Sequence, residues 1–307
     1  MYSFLYKIYF ILIRKRAGAW QQGRQFPHGL QRLLDYLEWF YNVPYLKRRH
    51  NRRDFPIGVT KEKRPRKIIA SLTSYPKRIG TVWIAIDSIM CQTVKPDEII
   101  LWLAEEQFDR GVSSLPAELR DLQNRGLTIR FCRDLKSHKK YFYTLQEYSR
   151  DLVILFDDDI FYPRDTISSL MKLHQMYPED ICSMTAQVIS PSFKDMPSGW
   201  RNPGLNEKWI HSDSIQAYSG SGTLFPPGSL PAEAFDSERI QELCPYADDL
   251  WLAFMAHRKG TKVSAFYPWR PFPVMIYNTA KDSLYRINAE QGKNDEQWKA
   301  LTDYYLS

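Results

Sequence analysis

The stretch Asp151-Leu152-Val153-Ile154-Leu155-Phe156-Asp157-Asp158-Asp159-Ile160-Phe161-Tyr162-Pro163 decides how this chain is read. Its apolar run, Leu152 to Phe156, has two β-branched residues at its centre and reads as a buried central strand. The run ends abruptly in three carboxylates. A buried strand can release charge only at its end, where the chain meets solvent, and in open α/β sheets ligands bind at the carboxyl ends of the strands. Carboxylates there suit Mg2+ or Mn2+, hard cations that take oxygen ligands and keep positions open for a diphosphate. Alternate residues on an extended chain point the same way, so Asp157 and Asp159 are expected to share one metal while Asp158 faces elsewhere. The plainer reading is a solvated turn with one aspartate capping the next helix.

Upstream of this stretch the pattern repeats as strand and helix. Ile68 to Thr73, Glu98 to Leu103 and Leu127 to Cys132 read as strands. Thr81 to Gln92, Leu115 to Asn124 and Tyr141 to Ser149 read as helices. Strands separated by helices imply a parallel sheet with right-handed crossovers. No G-x-G-x-x-G and no P-loop accompanies them, which disfavours a dinucleotide cofactor or a P-loop ATPase.

Downstream, Asp165 to Gln175 reads as a helix, Ile181 to Ile189 as mixed, and residues 190–216 as loop. Two further features follow. One is the small-residue segment Tyr218-Ser219-Gly220-Ser221-Gly222-Thr223-Leu224-Phe225-Pro226-Pro227-Gly228. The other is Ala247-Asp248-Asp249-Leu250-Trp251-Leu252, an acidic pair just before an apolar helix. For the glycines the ordinary reading is a turn or bulge; for the acidic pair it is helix capping with macrodipole benefit.

Charge is distributed unevenly. Residues 1–66 hold 15 Lys/Arg against 4 Asp/Glu, whereas the rest hold 27 against 31, within an overall net charge of +7. Such asymmetry suggests attraction to an anionic surface. Tyr2 to Ile13 is apolar and aromatic, but Lys7 interrupts it and a bilayer span needs about 20 residues. It leads into Arg14-Lys15-Arg16 without a small-residue cleavage site, so a cleaved signal peptide fits poorly. A helix lying in the interface of an anionic leaflet is one reading; a terminal helix docked on the domain is the other. Leu30 to Tyr41 has helical apolar spacing, and Lys47 to Lys67 reads as a basic linker. No aromatic platform or recognition motif accompanies that linker, so nucleic acid is disfavoured as a partner. Cys91, Cys132, Cys182 and Cys244 form no C-x-x-C pair and read as buried thiols in a reducing cytosol, without a zinc site.

In this order, the acidic triplet, the Gly-Ser-Gly segment and the acidic pair make the chain resemble the GT-A class of nucleotide-sugar glycosyltransferases. More closely, it is similar to bacterial glycosyltransferases from capsule and lipopolysaccharide clusters. The matching stretches are Ser71-Leu72-Thr73-Ser74-Tyr75-Pro76-Lys77-Arg78-Ile79, Asp134-Leu135-Lys136-Ser137-His138-Lys139-Lys140, Asp157-Asp158-Asp159-Ile160, Gly220-Ser221-Gly222-Thr223-Leu224-Phe225-Pro226-Pro227-Gly228, Ala247-Asp248-Asp249-Leu250-Trp251-Leu252 and Gly292-Lys293-Asn294-Asp295. The resemblance runs from about residue 67 to the end. A more distant similarity extends to the C-terminal domain of exostosins.

The resemblance implies an α/β fold of GT-A type: a Rossmann-like, mostly parallel central sheet flanked by helices over residues 67–307, after a basic helical extension over 1–66. It implies metal-dependent transfer of a sugar from a nucleoside diphosphate, UDP by class preference, to a hydroxyl of a surface polysaccharide or lipid-linked glycan. Asp157 and Asp159 would hold Mn2+ or Mg2+. Asn294 and Asp295 would stand in for a C-terminal histidine ligand, since no His lies beyond His257. The donor would meet Thr73, Tyr75, Arg78, Asp134, Lys140, Asp158, Gly220 and Gly222. Arg78 would grip the diphosphate, Lys140 would offset its charge, and the glycines would let the backbone approach. Asp249 would be the general base and Asp248 its helper. Exostosin-like domains retain anomeric configuration, so the pair need not be a base and the stereochemistry stays open. His211, close to Trp209, faces the acceptor or is structural. The extension would hold the enzyme on the cytoplasmic face of the membrane. The rival readings are a non-catalytic glycan-binding scaffold on the same fold and a nucleotidyltransferase.

Overall fold

The computed structural model describes residues 2–21, 25–42, 56–189, 209–266, 274–276, 279, 288 and 292–306. The basic run over 47–53 and most of the loop over 190–216 lie outside the described residues.

Four parallel strands form one half of an eight-stranded sheet: β1 (Ile68–Thr73), β2 (Glu98–Ala104), β3 (Leu127–Cys132) and β4 (Leu152–Phe156), in the order β3-β2-β1-β4. The crossovers carry α3 (Val82–Met90), α4 (Ala117–Asp121) and α5 (Lys139–Glu147). Alternation along each strand builds the two cores, as the strand period of two requires. Ile69, Val153 and Leu155 enter one cluster with Tyr141 of α5. Ile68, Ala70, Leu72, Ile154 and Phe156 enter the other with Val82, Ile86 and Ile89 of α3. Strands β1, β2 and β4 are buried on both faces, hence their nearly continuous apolar sequences, whereas the edge strand β3 is half-buried over residues 128–131.

The sheet continues as β10-β6-β11-β8, comprising β6 (Ile181–Ser183), β8 (Trp209–Ser212), β10 (Ser221–Phe225) and β11 (Val263–Phe266). Here β10 runs antiparallel to both β4 and β6, β11 is parallel to β6, and β8 is antiparallel to β11. Six of the eight strands therefore share one direction. Against the second half pack α6 (Thr166–Met176), α7 (Ser237–Leu243), α8 (Asp248–Lys259) and α9 (Lys293–Tyr305). The α/β class and the mostly parallel central sheet flanked by helices are what the sequence pattern implies.

Two segments differ from the sequence reading. Residues 209–217, expected as loop, form β8 and β9 (Ile215–Ala217), the latter paired with β7 (Ala186–Val188). The Gly-Ser-Gly segment, read as a turn or bulge, is not a turn: it enters β10, with a bulge-like register shift between Ser221 and Thr223. Gly222 sits there at φ +97°, a conformation that favours glycine.

The N-terminal helices α1 (Tyr2–Gln21) and α2 (His28–Asn42) do not stand apart. Their inner residues Tyr9, Leu12, Leu34 and Leu37 are buried together with Val274 and pack against Phe161. These last two belong to a ribbon of β5 (Ile160–Phe161) and β12 (Val274–Met275) that begins directly after Asp159. Of the segment between helices and sheet, the described residues 56–67 are tied down. Gly58 N–H donates to Arg125 O at 2.7 Å, and Thr60 N–H donates to Pro96 O at 2.9 Å.

Candidate active site

The carboxyl ends of β1 and β4, the N-terminal turns of α5 and α8, and the entry to β10 meet at one end of the sheet. Because β10 is antiparallel, its first residues lie beside the tip of β4, with Ser221 opposite Phe156. Tyr162 locks this junction: its hydroxyl accepts from Asp157 N–H at 2.7 Å and donates to Gly220 O.

Lys140 is the centre of the arrangement. Its ammonium donates to Asp157 Oδ1 at 2.6 Å and lies 3.0 Å from Asp248 Oδ2. It is only 3% exposed. Burial works against its charge, but Asp157, Asp248 and Asp249 raise its pKa above that of an ordinary lysine. The backbone beneath it is anchored by a relay of hydrogen bonds. Trp102 Nε1–H donates to Thr144 Oγ1 at 2.7 Å, and Thr144 and Ser71 hydroxyls lie 2.7 Å apart. Ser71 Oγ–H then donates to Lys140 O at 2.6 Å. A chain of this kind fixes the first turn of α5.

Arg78 is the second cation. Its Nη1 lies 2.6 Å from Asp158 Oδ1 and 2.9 Å from Asp159 Oδ2, and its Nη2 donates to Thr279 O at 3.3 Å. Ser74 Oγ–H donates to the other oxygen of Asp158 at 2.6 Å. Strict alternation therefore fails after Phe156, because the strand ends there. Asp158 and Asp159 share Arg78, while Asp157 turns to Lys140.

The acidic pair opens α8, whose N-cap is Ala247 without a side-chain cap. Ser219 binds both members: its N–H donates to Asp249 Oδ1 at 2.7 Å and its hydroxyl to Asp248 Oδ2 at 2.6 Å. The two differ in state. Burial opposes charge on Asp248, yet Lys140 beside it holds it well below the usual carboxylate range. Burial and the neighbouring Asp248 push Asp249 up to about 7. Burial likewise pushes Asp159 up to about 7 despite Arg78.

The other expected residues take less exposed roles than the sequence suggested. Arg78 is 8% exposed and acts as counter-ion to Asp158 and Asp159. Lys140 is likewise paired with carboxylates. Thr73 Oγ1–H donates to Trp102 O at 2.8 Å, and the Tyr75 ring lies under Arg78 at 5.7 Å. Asp134 lies at the end of β3, where it accepts from Lys136 N–H at 2.9 Å and Gln107 Nε2–H at 3.0 Å and pairs with Lys139. Gly220 lies against Asp157: a Cβ there would come within 1.8 Å of the carboxylate carbon. At Gly222 a Cβ would meet Thr166 at 2.9 Å. Both glycines thus serve the packing of the strand tip.

For a divalent cation the donor chemistry fits. Among the described residues, five carboxylates, Asp157, Asp158, Asp159, Asp248 and Asp249, gather around two cations, Lys140 and Arg78. Burial first, and then the neighbouring aspartates, raise Asp159 and Asp249. Among the described residues, no three His, Cys, Asp or Glu side chains already converge as metal ligands. Asn294 and Asp295 lie in the first turn of α9. Asn294 Oδ1 is buried without a hydrogen-bond partner among the described residues, and Asp295 is exposed. His211 lies at the opposite end of the sheet, with Nδ1 2.6 Å from Asp180 and its ring stacked on Tyr177 at 4.5 Å.

Three contributors escaped sequence reasoning: Ser74, His138 and Ser219. Ser74 and His138 sit inside matching stretches and Ser219 immediately precedes one, each adjacent to or two residues from a residue that was singled out. His138 is buried, with Nε2 2.8 Å from Cys244 O.

No known family's sequence profile matches the chain. No curated protein matches it in sequence. Among solved structures it is similar to S. aureus TarS 1–349, at TM-score 0.44 and 10% identity over 67% of this chain and 59% of that one. The same protein in complex with UDP gives 0.43 and 11%. The mannosyltransferase PcManGT from Pyrobaculum calidifontis, in complex with GDP-Man and Mn2+, gives 0.40 and 16% over 87% of this chain and 70% of that one. The chain thus spans under two thirds of the TarS chain, and likenesses of this extent do not decide an activity.

Proposed function

We propose that residues 67–307 form a glycosyltransferase domain that moves a sugar from a nucleoside diphosphate, UDP by class preference, to a hydroxyl of a surface glycan or lipid-linked acceptor. One observation carries the reading. Two acidic motifs some ninety residues apart meet at the carboxyl end of the sheet through a single buried lysine, Lys140, which touches both Asp157 and Asp248.

Chemistry follows from the differing states of these carboxylates. Asp249, half-buried and held near neutrality, can take the proton from the acceptor hydroxyl as that oxygen attacks the anomeric carbon and the bond to the diphosphate breaks. Asp248, charged and clamped by Lys140 and Ser219, fixes the first turn of α8 and with it the base. Asp157 and Asp159 would hold Mn2+ or Mg2+, with Asn294 Oδ1 a further oxygen donor. When bound, the ion supplies charge stabilisation to the departing nucleoside diphosphate. Arg78 keeps Asp158 and Asp159 in place. The extension over 1–66 keeps the enzyme peripheral on the cytoplasmic face of the membrane, where lipid-linked acceptors lie.

Thermal unfolding against a panel of nucleoside diphosphates, with and without Mn2+, tests this. One nucleotide should stabilise the protein by about 2.7 kcal/mol at a hundred times its dissociation constant. That gain should need Mn2+ and vanish in Asp159→Asn. Asp249→Asn should keep the gain and lose sugar transfer. A folded protein that responds to no nucleotide would favour the scaffold reading.

A further inference from the structure

The inner faces of α1 and α2 are covered by each other and by the β5–β12 ribbon, but their outer faces are apolar as well. On α1, Phe4, Lys7, Ile11 and Lys15 follow one another at spacings of three, four and four, and so share one side of the helix. All four are exposed, Phe4 at 67% and Ile11 at 53%. On α2, Leu33, Tyr36 and Trp39 recur every third residue and are exposed at 41%, 56% and 38%. The Tyr36 ring lies 5.7 Å from that of Trp39 and 6.3 Å from that of Phe40. Of the nine exposed large hydrophobics among the described residues, five belong to these two helices. That concentration marks an interaction surface rather than scattered exposure.

We propose that this outer surface seats on an anionic phospholipid bilayer, with α1 and α2 lying in the plane of the headgroups. Three observations select this occupant. First, α1 alternates apolar residues with lysines along one stripe, which matches a boundary of hydrocarbon and phosphate. Second, the exposed charges on α1 and α2 are mostly basic, Lys7, Lys15 and Arg32 against Asp35, so a second copy of this face would meet like charge. Third, no helix among the described residues is long and apolar enough to cross a membrane, which leaves a surface attitude for this apolar area.

Docking also orients the rest of the protein. The buried side of the same helices grips Val274 and Phe161, and Ile276 N–H donates to Asp159 O at 2.7 Å. The lipid surface therefore lies two packed layers from the acidic tip. An acceptor carried by lipid would reach the site without leaving the membrane, and only this consequence rests on the transferase reading.

Co-sedimentation of the full chain with vesicles tests the proposal. Vesicles of phosphatidylcholine containing phosphatidylglycerol should bind it, those of phosphatidylcholine alone should not, and added salt should release it. Lys7→Gln/Lys15→Gln should weaken binding by about fivefold per lysine. Leu33→Ser/Tyr36→Ser/Trp39→Ser should abolish it. Thermal unfolding and the nucleotide response of each variant, measured on the same samples, report whether it is folded. If the folded wild type ignores anionic vesicles, or if folded variants bind them as well as the wild type does, the proposal falls. It falls equally if the wild type forms a dimer that the triple variant loses, since the face would then belong to a second copy. Vesicle binding without any nucleotide response would keep the docking surface and remove the transferase reading; the reverse would do the opposite.

Discussion

Lys140 occupies a position that elementary electrostatics disfavours. It lies in the first turn of α5, where the helix dipole repels a cation, and it is buried. Only its contacts with Asp157 and Asp248 make the charge tolerable. Replacing it by methionine leaves Asp248 buried without its counter-ion and should cost about 3 kcal/mol in urea unfolding. Adding Asp248→Asn should recover part of that loss; strict additivity would mean that the pair is not coupled. His138, two residues earlier, supplies a pH signature. Burial lowers its pKa to about 4, so it is neutral in the folded protein while the unfolded chain protonates it near 6.5. Its contribution is complete above pH 6.5 and declines as the pH falls toward 4, by about 3 kcal/mol in all. Other groups titrate in the opposite sense, Glu38 among them, its carboxyl pushed by burial up to about 7. The test is therefore a difference: the gap in stability between wild type and His138→Gln should narrow across that window.

The elements that sequence made plain are those whose period reports burial directly. Strands β1, β2 and β4 read as apolar runs between turn signals, and their buried residues alternate between two cores. The elements that were misread are the second-half strands. Strand β10 starts at Ser221 within the Gly-Ser-Gly segment and is followed by Pro-Pro, a composition that signals a turn or bulge, and only its pairing between β4 and β6 makes it a strand. The site was legible to the same degree. The carboxylates stood out as charges at element ends, and Arg78 and Lys140 were singled out as partners of a diphosphate but not of these acids, because a lysine or arginine that closes on a buried acid looks in sequence like any surface base. Gly220 illustrates the difference. Its role is set by a side chain sixty-three positions away, the Asp157 carboxylate, which fills the space a Cβ would need. Gly220→Ala should therefore fold, lose about 1–3 kcal/mol to overpacking, and lose its Mn2+-dependent response to nucleotide as Asp157 is displaced from Lys140. An unchanged response would show that Asp157 has room to yield.

At the scale of the whole molecule, the N-terminal hairpin covers apolar surface that the sheet domain otherwise exposes. Removing residues 1–42 uncovers Val274 and Phe161 and loosens the ribbon that holds the Asp159 carbonyl. The truncated protein should melt lower by about 5 °C or more, with a weaker nucleotide response; identical melting would make the hairpin a loose appendage. The central sheet has a further consequence, which concerns time rather than structure. Strands β1 to β4 come from one continuous stretch, whereas β10, which seals the edge of β4, is made some 65 residues after β4 is complete. At ribosomal rates that gap lasts roughly 3 to 13 s. During synthesis the chain therefore carries an assembled half-sheet whose most hydrophobic strand has an open edge, a template for pairing with other chains. Its yield in the cell should depend on whatever shelters that edge until β10 arrives.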